Sequence, residues 1–294
     1  MRNFMVIKIV SLITAIFCFG PVVSSLDTSQ EQDNLVRLAA ILRKSKDYCR
    51  RLEKAALDFV CLEEVSERFD RTQETIKGAP VFGPTGQHLG SEIIEMPPKK
   101  TENKYLYDYQ FIRKDQETKE KRNLLEVNGK KKNIQDASSQ TTVFQYANIL
   151  FGPAAVLGES WQFYLEYKLV GEDILNGMKT VVIEATPLSS LTGPHSYGKI
   201  WVREEDGSVL KIVWDQKSIG NFKPIEEWAK KNNMEPQITS FSEYGFEKNG
   251  LRFPSRDYTE EAYLKKDGKK YIRAETAIIY KDYRFFTVET DIKY

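Results

Sequence analysis

The stretch "GKIWVREEDGSVLKIVW", residues 198–214, decides the fold. Two runs rich in β-branched and aromatic residues flank Asp206-Gly207, a pair suited to a tight hairpin turn. With that pair as the turn, Trp201 opposes Ile212, Arg203 opposes Leu210 and Lys199 opposes Trp214 on one face. On the other, Ile200 opposes Val213 and Glu204 opposes Val209. Each face carries large apolar residues, so neither can be given to water without cost. Three covers are open: a helix of the same chain, a bound apolar ligand, or a partner protein. An exposed patch of this kind usually marks an interaction surface.

The rest of the chain reads as strands around this hairpin. "KYLYDYQFIR" (104–113) and "KRNLLEVNGKK" (121–131) flank a polar turn, and the first sets Tyr105, Tyr107, Tyr109 and Phe111 on one side. "WQFYLEYKLV" (161–170) and "MKTVVIEAT" (178–186) form another pair, with Trp161, Phe163, Leu165, Tyr167 and Leu169 sharing a face. From residue 238 onward the text is nearly continuous strand, broken at Lys-Asn-Gly, Lys-Asp-Gly and Lys-Asp-Tyr. The closing strand places Phe286, Val288, Ile292 and Tyr294 on its buried side.

Helical periods are few. Leu35, Leu38, Ala39 and Leu42, then Leu52, Ala55 and Ala56, predict an N-terminal helix interrupted near Ser45. Val143, Phe144, Ala147 and Leu150 predict a second, followed by an apolar loop over 149–158. "NFKPIEEWAKKNN" (221–233) predicts a short linking helix with Ile225, Trp228 and Ala229 inward. Gly and Pro make 78–100 a long loop. The fold class is therefore α+β: one large curved antiparallel sheet of about ten strands, an incomplete barrel, covered by an N-terminal helix and short inserted helices.

The first 25 residues stand apart. Arg2 and Lys8 precede an apolar run from Ile9 to Phe19, followed by Gly20-Pro21 and Ser24-Ser25, the order of a secretory signal peptide. Cleavage is expected before Leu26, which leaves residues 26–294 as a single domain and places the protein outside the inner membrane. Cys18 follows bulky Phe17, which argues against lipoprotein processing. The remaining cysteines, Cys49 and Cys61, are expected to pair in an oxidising compartment.

Composition and motifs remove several function classes. Without Arg2 and Lys8 the chain has 41 basic against 42 acidic residues, and its short Lys and Arg tracts sit beside acids. Nucleic acid needs an uncompensated basic surface and is not an expected partner. His88 and His195 lie in Gly-rich loops, and no nucleophile elbow, metal-ligand pattern or Walker loop occurs. Glu63, Glu67, Glu275 and Glu289 alternate with apolar residues, as on a solvated sheet face. No cofactor and no catalytic residue is expected.

"YGKIWVREEDGSVLKIVW" (197–214) and "YKDYRFFTVETDIKY" (280–294), after a signal peptide, a helix and a strand meander, resemble the LolA and LolB type of periplasmic lipoprotein carriers and the wider outer-membrane lipoprotein-sorting proteins. The mature part is longer than the simple carriers and adds the Cys49 and Cys61 pair. The resemblance implies an apolar cavity between sheet and helices for acyl chains of a lipid or lipoprotein. The residues expected to line it are Phe151, Leu157, Phe163, Leu165, Tyr167, Trp201, Ile212, Trp214, Phe286 and Val288. A periplasmic, monomeric, non-catalytic carrier is the expected function, and an envelope stress sensor or scaffold binding another protein is the alternative.

Overall fold

The structure is a computed structural model that describes residues 25–55, 58–73, 75–82, 88–95, 100–114, 117–144, 149–189, 195–220 and 222–286. The predicted signal segment before Ser25, and Val288 with the end of the closing strand, lie outside the described residues. The chain divides into two compact units, residues 1–37 and 38–294. Of the first, the described part is the opening of helix α1 (Ser25–Lys54), where Leu35 and Val36 are exposed.

In chain order the second unit continues with strands β1 (Asp58–Asp70), β2 (Thr75–Phe82), β3 (His88–Glu95), β4 (Lys100–Lys114), β5 (Glu117–Val127) and β6 (Lys130–Ile134). Helix α2 (Gly152–Leu157) follows, then β7 (Leu165–Leu175), β8 (Met178–Pro187), β9 (Gly198–Val202) and β10 (Val209–Trp214). Helix α3 (Phe222–Lys231) precedes β11 (Glu235–Glu243), β12 (Phe246–Lys248), β13 (Leu251–Phe253), β14 (Arg256–Leu264) and β15 (Lys270–Phe286). Among the described residues, eleven strands form one antiparallel sheet in the order β6-β5-β4-β1-β15-β14-β11-β10-β9-β8-β7. Among the described residues its end strands β6 and β7 are not paired with each other, so the sheet does not close into a barrel.

Residues 38–54 of α1, with α2 and α3, lie on one face, the inner face. Residues 38–54 of α1 run unbroken through Ser45, which is buried, and a stripe of Leu38, Ile41, Tyr48, Cys49 and Leu52 faces the sheet. The interruption expected at Ser45 is absent because that residue falls on the buried stripe. Ile200, Val202, Val209 and Ile212 of the opening hairpin are wholly buried in the same core. The cover of this face is thus the chain's own helix.

The register of that hairpin differs from the expected one by one residue. Ile200 opposes Ile212, Trp201 opposes Lys211 and Gly198 opposes Trp214. The cause is the turn, which spans 203–208 rather than two residues: Asp206 accepts from the Arg203 guanidinium and the Ser208 amide, while Gly207 N–H donates to the Arg203 carbonyl. A one-residue slip exchanges faces. It sends Ile200 and Ile212 inward together and leaves Trp201 outside.

Around Trp201 the outer face is covered by cations. Trp201 donates from Nε1 to Asp173 at 2.8 Å, and Lys211 Nζ lies 6.0 Å from its ring and 4.5 Å from that of Phe241. Arg256 continues the row, 5.3 Å from the Phe241 ring and 5.8 Å from that of Tyr258. Long cationic side chains lay their stems over apolar surface while their charged ends stay wet.

Other expectations need correction. The stretch 78–100 is not one long loop, since it contains the paired strands β2 and β3, with His88 opening the latter. Residues 149–158 are not a loop: a 3₁₀ turn over Ile149–Phe151 leads into α2, with Pro153 in its first turn. Within the described part of the helix expected over 143–150, Val143 and Phe144 are non-helical. Trp161–Phe163 form a 3₁₀ turn ahead of β7, which leaves Phe163 exposed.

Lys281-Asp282-Tyr283 is a β-bulge inside β15, with Asp282 at φ 57°, and not a turn. The extra residue reverses the alternation. Tyr283 and Phe285 therefore join an inner cluster with Phe59, Phe246 and Phe253, and Phe286 is turned outward and half exposed.

Cys49 and Cys61 are both buried and free, which corrects the expected disulfide. The two thiols belong to different neighbourhoods: Cys49 lies on α1 near Glu53 and Tyr167, while Cys61, on β1, hydrogen-bonds with Tyr283. Burial pushes both thiols well above the usual range. A thiol held protonated in this way is unreactive.

Candidate functional site

Inward-facing acids are the feature that alternation misread. Glu63 and Glu67 share the inner side of β1 with Phe59, Cys61, Val65 and Phe69, and both are 1% exposed. Each has its own partner. Glu63 accepts two hydrogen bonds from Arg122, at 2.7 and 3.0 Å, and one from Tyr280. Glu67 accepts from the amides of Thr142 and Val143 and from the Thr142 hydroxyl. Farther along, Glu261 is paired with Arg273 and accepts from Tyr263.

Asp257 is different. It is equally buried on the inner side of β14, and its Oδ2 has no partner among the described residues. It forms one wall of a cavity of about 370 Å³. The sheet supplies the floor, where cross-strand pairs put Ser242 beside Asp257 and Ser240 beside Thr259. Ser240 and Thr259 share a hydrogen bond of 2.8 Å. Ile149, Phe151, Gly152 and Ala155, at the start of α2, form the roof, with Phe144, Trp214, Ile219 and Tyr244 as apolar walls.

Local hydrogen bonds fix these walls. Trp214 Nε1–H donates to Ser242 Oγ at 3.0 Å, Ser242 in turn hydrogen-bonds Asp257, and Tyr244 Oη–H donates to the Ile149 carbonyl at 3.1 Å. Burial pushes the Asp257 carboxyl up to about 7, Glu63 and Glu243 add to the rise, and the Ser242 hydrogen bond opposes it. The cavity combines an apolar roof with a hydroxyl-lined floor and one carboxyl group that has a single unpartnered oxygen. Such a site binds a molecule with an apolar body and one polar end.

Of the residues expected to line a cavity, Phe151 and Trp214 do so. Leu157, Leu165 and Ile212 are buried in the main core instead, and Tyr167 is anchored by donating to the Val156 carbonyl at 2.7 Å. Trp201 stands on the outer face. Phe163 and Phe286 are 75% and 51% exposed. Sequence reasoning missed Asp257, Ser240, Ser242, Tyr244 and Thr259. In "RDYTEEAY" both alternating sets mix aromatic residues with acids, so the pattern did not say which set faces inward. His195 rests against the Trp161 ring, 5.6 Å away. Among the described residues, no three His, Cys, Asp or Glu side chains cluster as metal ligands, and no helix is long and apolar enough to cross a membrane.

No family model matches the chain, and no curated protein matches it. Among solved structures it is similar to a DUF1329 family protein from Desulfovibrio piger (12% identity, 85% of this chain and 95% of that one, TM-score 0.34). It is also similar to a putative outer membrane lipoprotein-sorting protein domain from Vibrio parahaemolyticus (11%, 86% and 93%, TM-score 0.35). A LolA superfamily protein from Nitrosomonas europaea is a third (14%, 86% and 96%, TM-score 0.30). At these identities and scores, function has to come from the site itself.

Proposed function

We propose that the protein is a non-catalytic binding or carrier protein of a bacterial envelope, which holds an apolar chain of a lipid or lipoprotein in the cavity beneath α2. The observation that supports this is the roof: Ile149, Phe151 and Ala155 line the cavity with apolar surface, while Phe151 is also braced edge-on against Phe111 of the core. Burying a ligand's apolar surface there contributes about 25 cal/mol per Å². Roof and floor belong to different elements, so release follows when the 149–158 segment lifts from Trp214 and Tyr244. The signal-like first 25 residues support a periplasmic location after cleavage, with residues 26–294 acting as one domain.

Native mass spectrometry of protein purified without detergent, with solvent extraction of the same sample, tests the reading. A bound lipid-like mass is expected. A clean unliganded mass with nothing extracted would count against it.

A second reading, a sensor or scaffold that binds another envelope protein, is favoured by the outer row of Trp201, Lys211, Phe241, Arg256 and Tyr258. Photo-crosslinkers placed at residues 201 and 214 separate the two, since these residues lie on opposite faces. A protein adduct from 201 favours the scaffold, and a lipid adduct from 214 favours the carrier.

A further inference from the structure

Among the inward-facing acids described above, Glu63 and Glu261 each hold an arginine, and Glu67 holds two backbone amides and a hydroxyl. Glu243, beside the cavity floor, holds Lys211 at 3.0 Å. Asp257 forms no ion pair among the described residues, although burying an unpaired carboxylate is costly. Asp257 lines open space, and its Oδ2 has no hydrogen-bond partner among the described residues. The missing partner therefore belongs to whatever fills that space.

The surroundings specify its chemistry. The hydroxyl oxygens of Ser240, Ser242 and Thr259 stand on the floor as further acceptors, and the rings of Trp214, Tyr244 and Phe151 stand around it. An ammonium group has three donors and no acceptor, and is attracted by ring faces as well as by carboxylate. An anionic head would meet Asp257 with like charge, and the methyl end of an acyl chain would leave it unsatisfied. At roughly 30 Å³ per water-sized group, the cavity takes on the order of ten heavy atoms.

We propose that the cavity is a site for a primary alkylamine or an amine-terminated chain, with the ammonium group on Asp257 and the alkyl part under Phe151 and Ile149. This rests on reading the cavity as a ligand site, and it names the polar end of the ligand. The ion pair forms in a desolvated setting, so the carboxylate gives selectivity for the amine, while the roof gives affinity that any chain of the same length shares.

The test is titration calorimetry of the full chain at pH 8 with octylamine, 1-octanol and octanoate, repeated on Asp257→Asn and Lys281→Ala. Wild type should bind octylamine at least tenfold more tightly than octanol, with octanoate weakest. Asp257→Asn should remove the amine preference and leave octanol affinity within about twofold. Lys281→Ala, at an exposed residue that does not line the cavity, should retain the preference. If wild type binds octylamine and octanol equally, the amine assignment is overturned while the ligand cavity stands. If none of the three binds, both are overturned. The wild-type ranking decides the matter even where a variant fails to fold.

Discussion

Gly152 is seated on the phenol of Tyr244, so closely that a β-carbon at this position would overlap Oη. The contact sets the height of the α2 roof above the sheet, because Tyr244 also donates to the Ile149 carbonyl one turn earlier. Gly152→Ala is expected to cost about 1–3 kcal/mol, as overpacking does. Tyr244→Phe removes the oxygen that the methyl group meets, so the double variant should be less destabilised than the sum of the singles. A thermal double-mutant cycle measures this coupling.

The hairpin tip gives a second comparison between glycines. Gly207 has φ +72°, and a side chain there would fall onto the backbone of Lys44 and Ser45 in α1. Gly268 has φ +78° with nothing within 4 Å. Gly268→Ala should therefore cost about 1 kcal/mol, the conformational term alone. Gly207→Ala should cost about twice as much or more, because it also lifts the tip from the helix. Denaturant midpoints at constant m-value check both figures.

The buried pair of Glu63 and Arg122 predicts an asymmetry. Arg122→Met leaves Glu63 buried with only the Tyr280 hydroxyl for company and should cost about 3–5 kcal/mol. Adding Glu63→Leu removes the stranded charge and should restore much of the loss. Equal destabilisation in the single and the double variant would contradict this account.

Asp257 predicts a slope of stability with pH. Its folded value of about 7 lies above the ordinary carboxyl range, so the folded chain binds the proton more tightly than the unfolded chain. The stabilising contribution is complete below about pH 4 and is lost as pH rises through 7, by at most about 4 kcal/mol. Glu63, Glu243, Tyr244, Tyr280 and Tyr283 also face this group, and the tyrosines stay neutral throughout that window. Asp257→Asn should therefore raise the melting temperature at pH 8 and change it little at pH 4, measured by calorimetry of the ligand-free chain.

The sheet was legible in the sequence because its strands alternate over long runs, as in Tyr105, Tyr107, Tyr109 and Phe111, and because Asn-Gly and Asp-Gly pairs punctuate them. Faces were legible only where no extra residue intervened. A longer turn at 203–208 reversed the reading of the hairpin, and a bulge at Asp282 reversed that of Phe286. Neither leaves a local signature distinct from an ordinary turn. The cavity was hidden for another reason. Buried acids imitate a wet face in any alternation, and only the partners brought by distant strands separate Glu63, held by Arg122 from 59 residues away, from Asp257, which has no ion pair among the described residues.

The central claim is that the space beneath α2 receives an apolar chain. An alkyl diazirine probe, photolysed on the purified protein and mapped by peptide mass spectrometry, tests it most directly. Saturable adducts on residues 149–155 and 240–244, competed by unlabelled chain of the same length, are the predicted result. Labelling confined to the outer row around Trp201 and Phe241, or labelling that does not saturate, would contradict the claim.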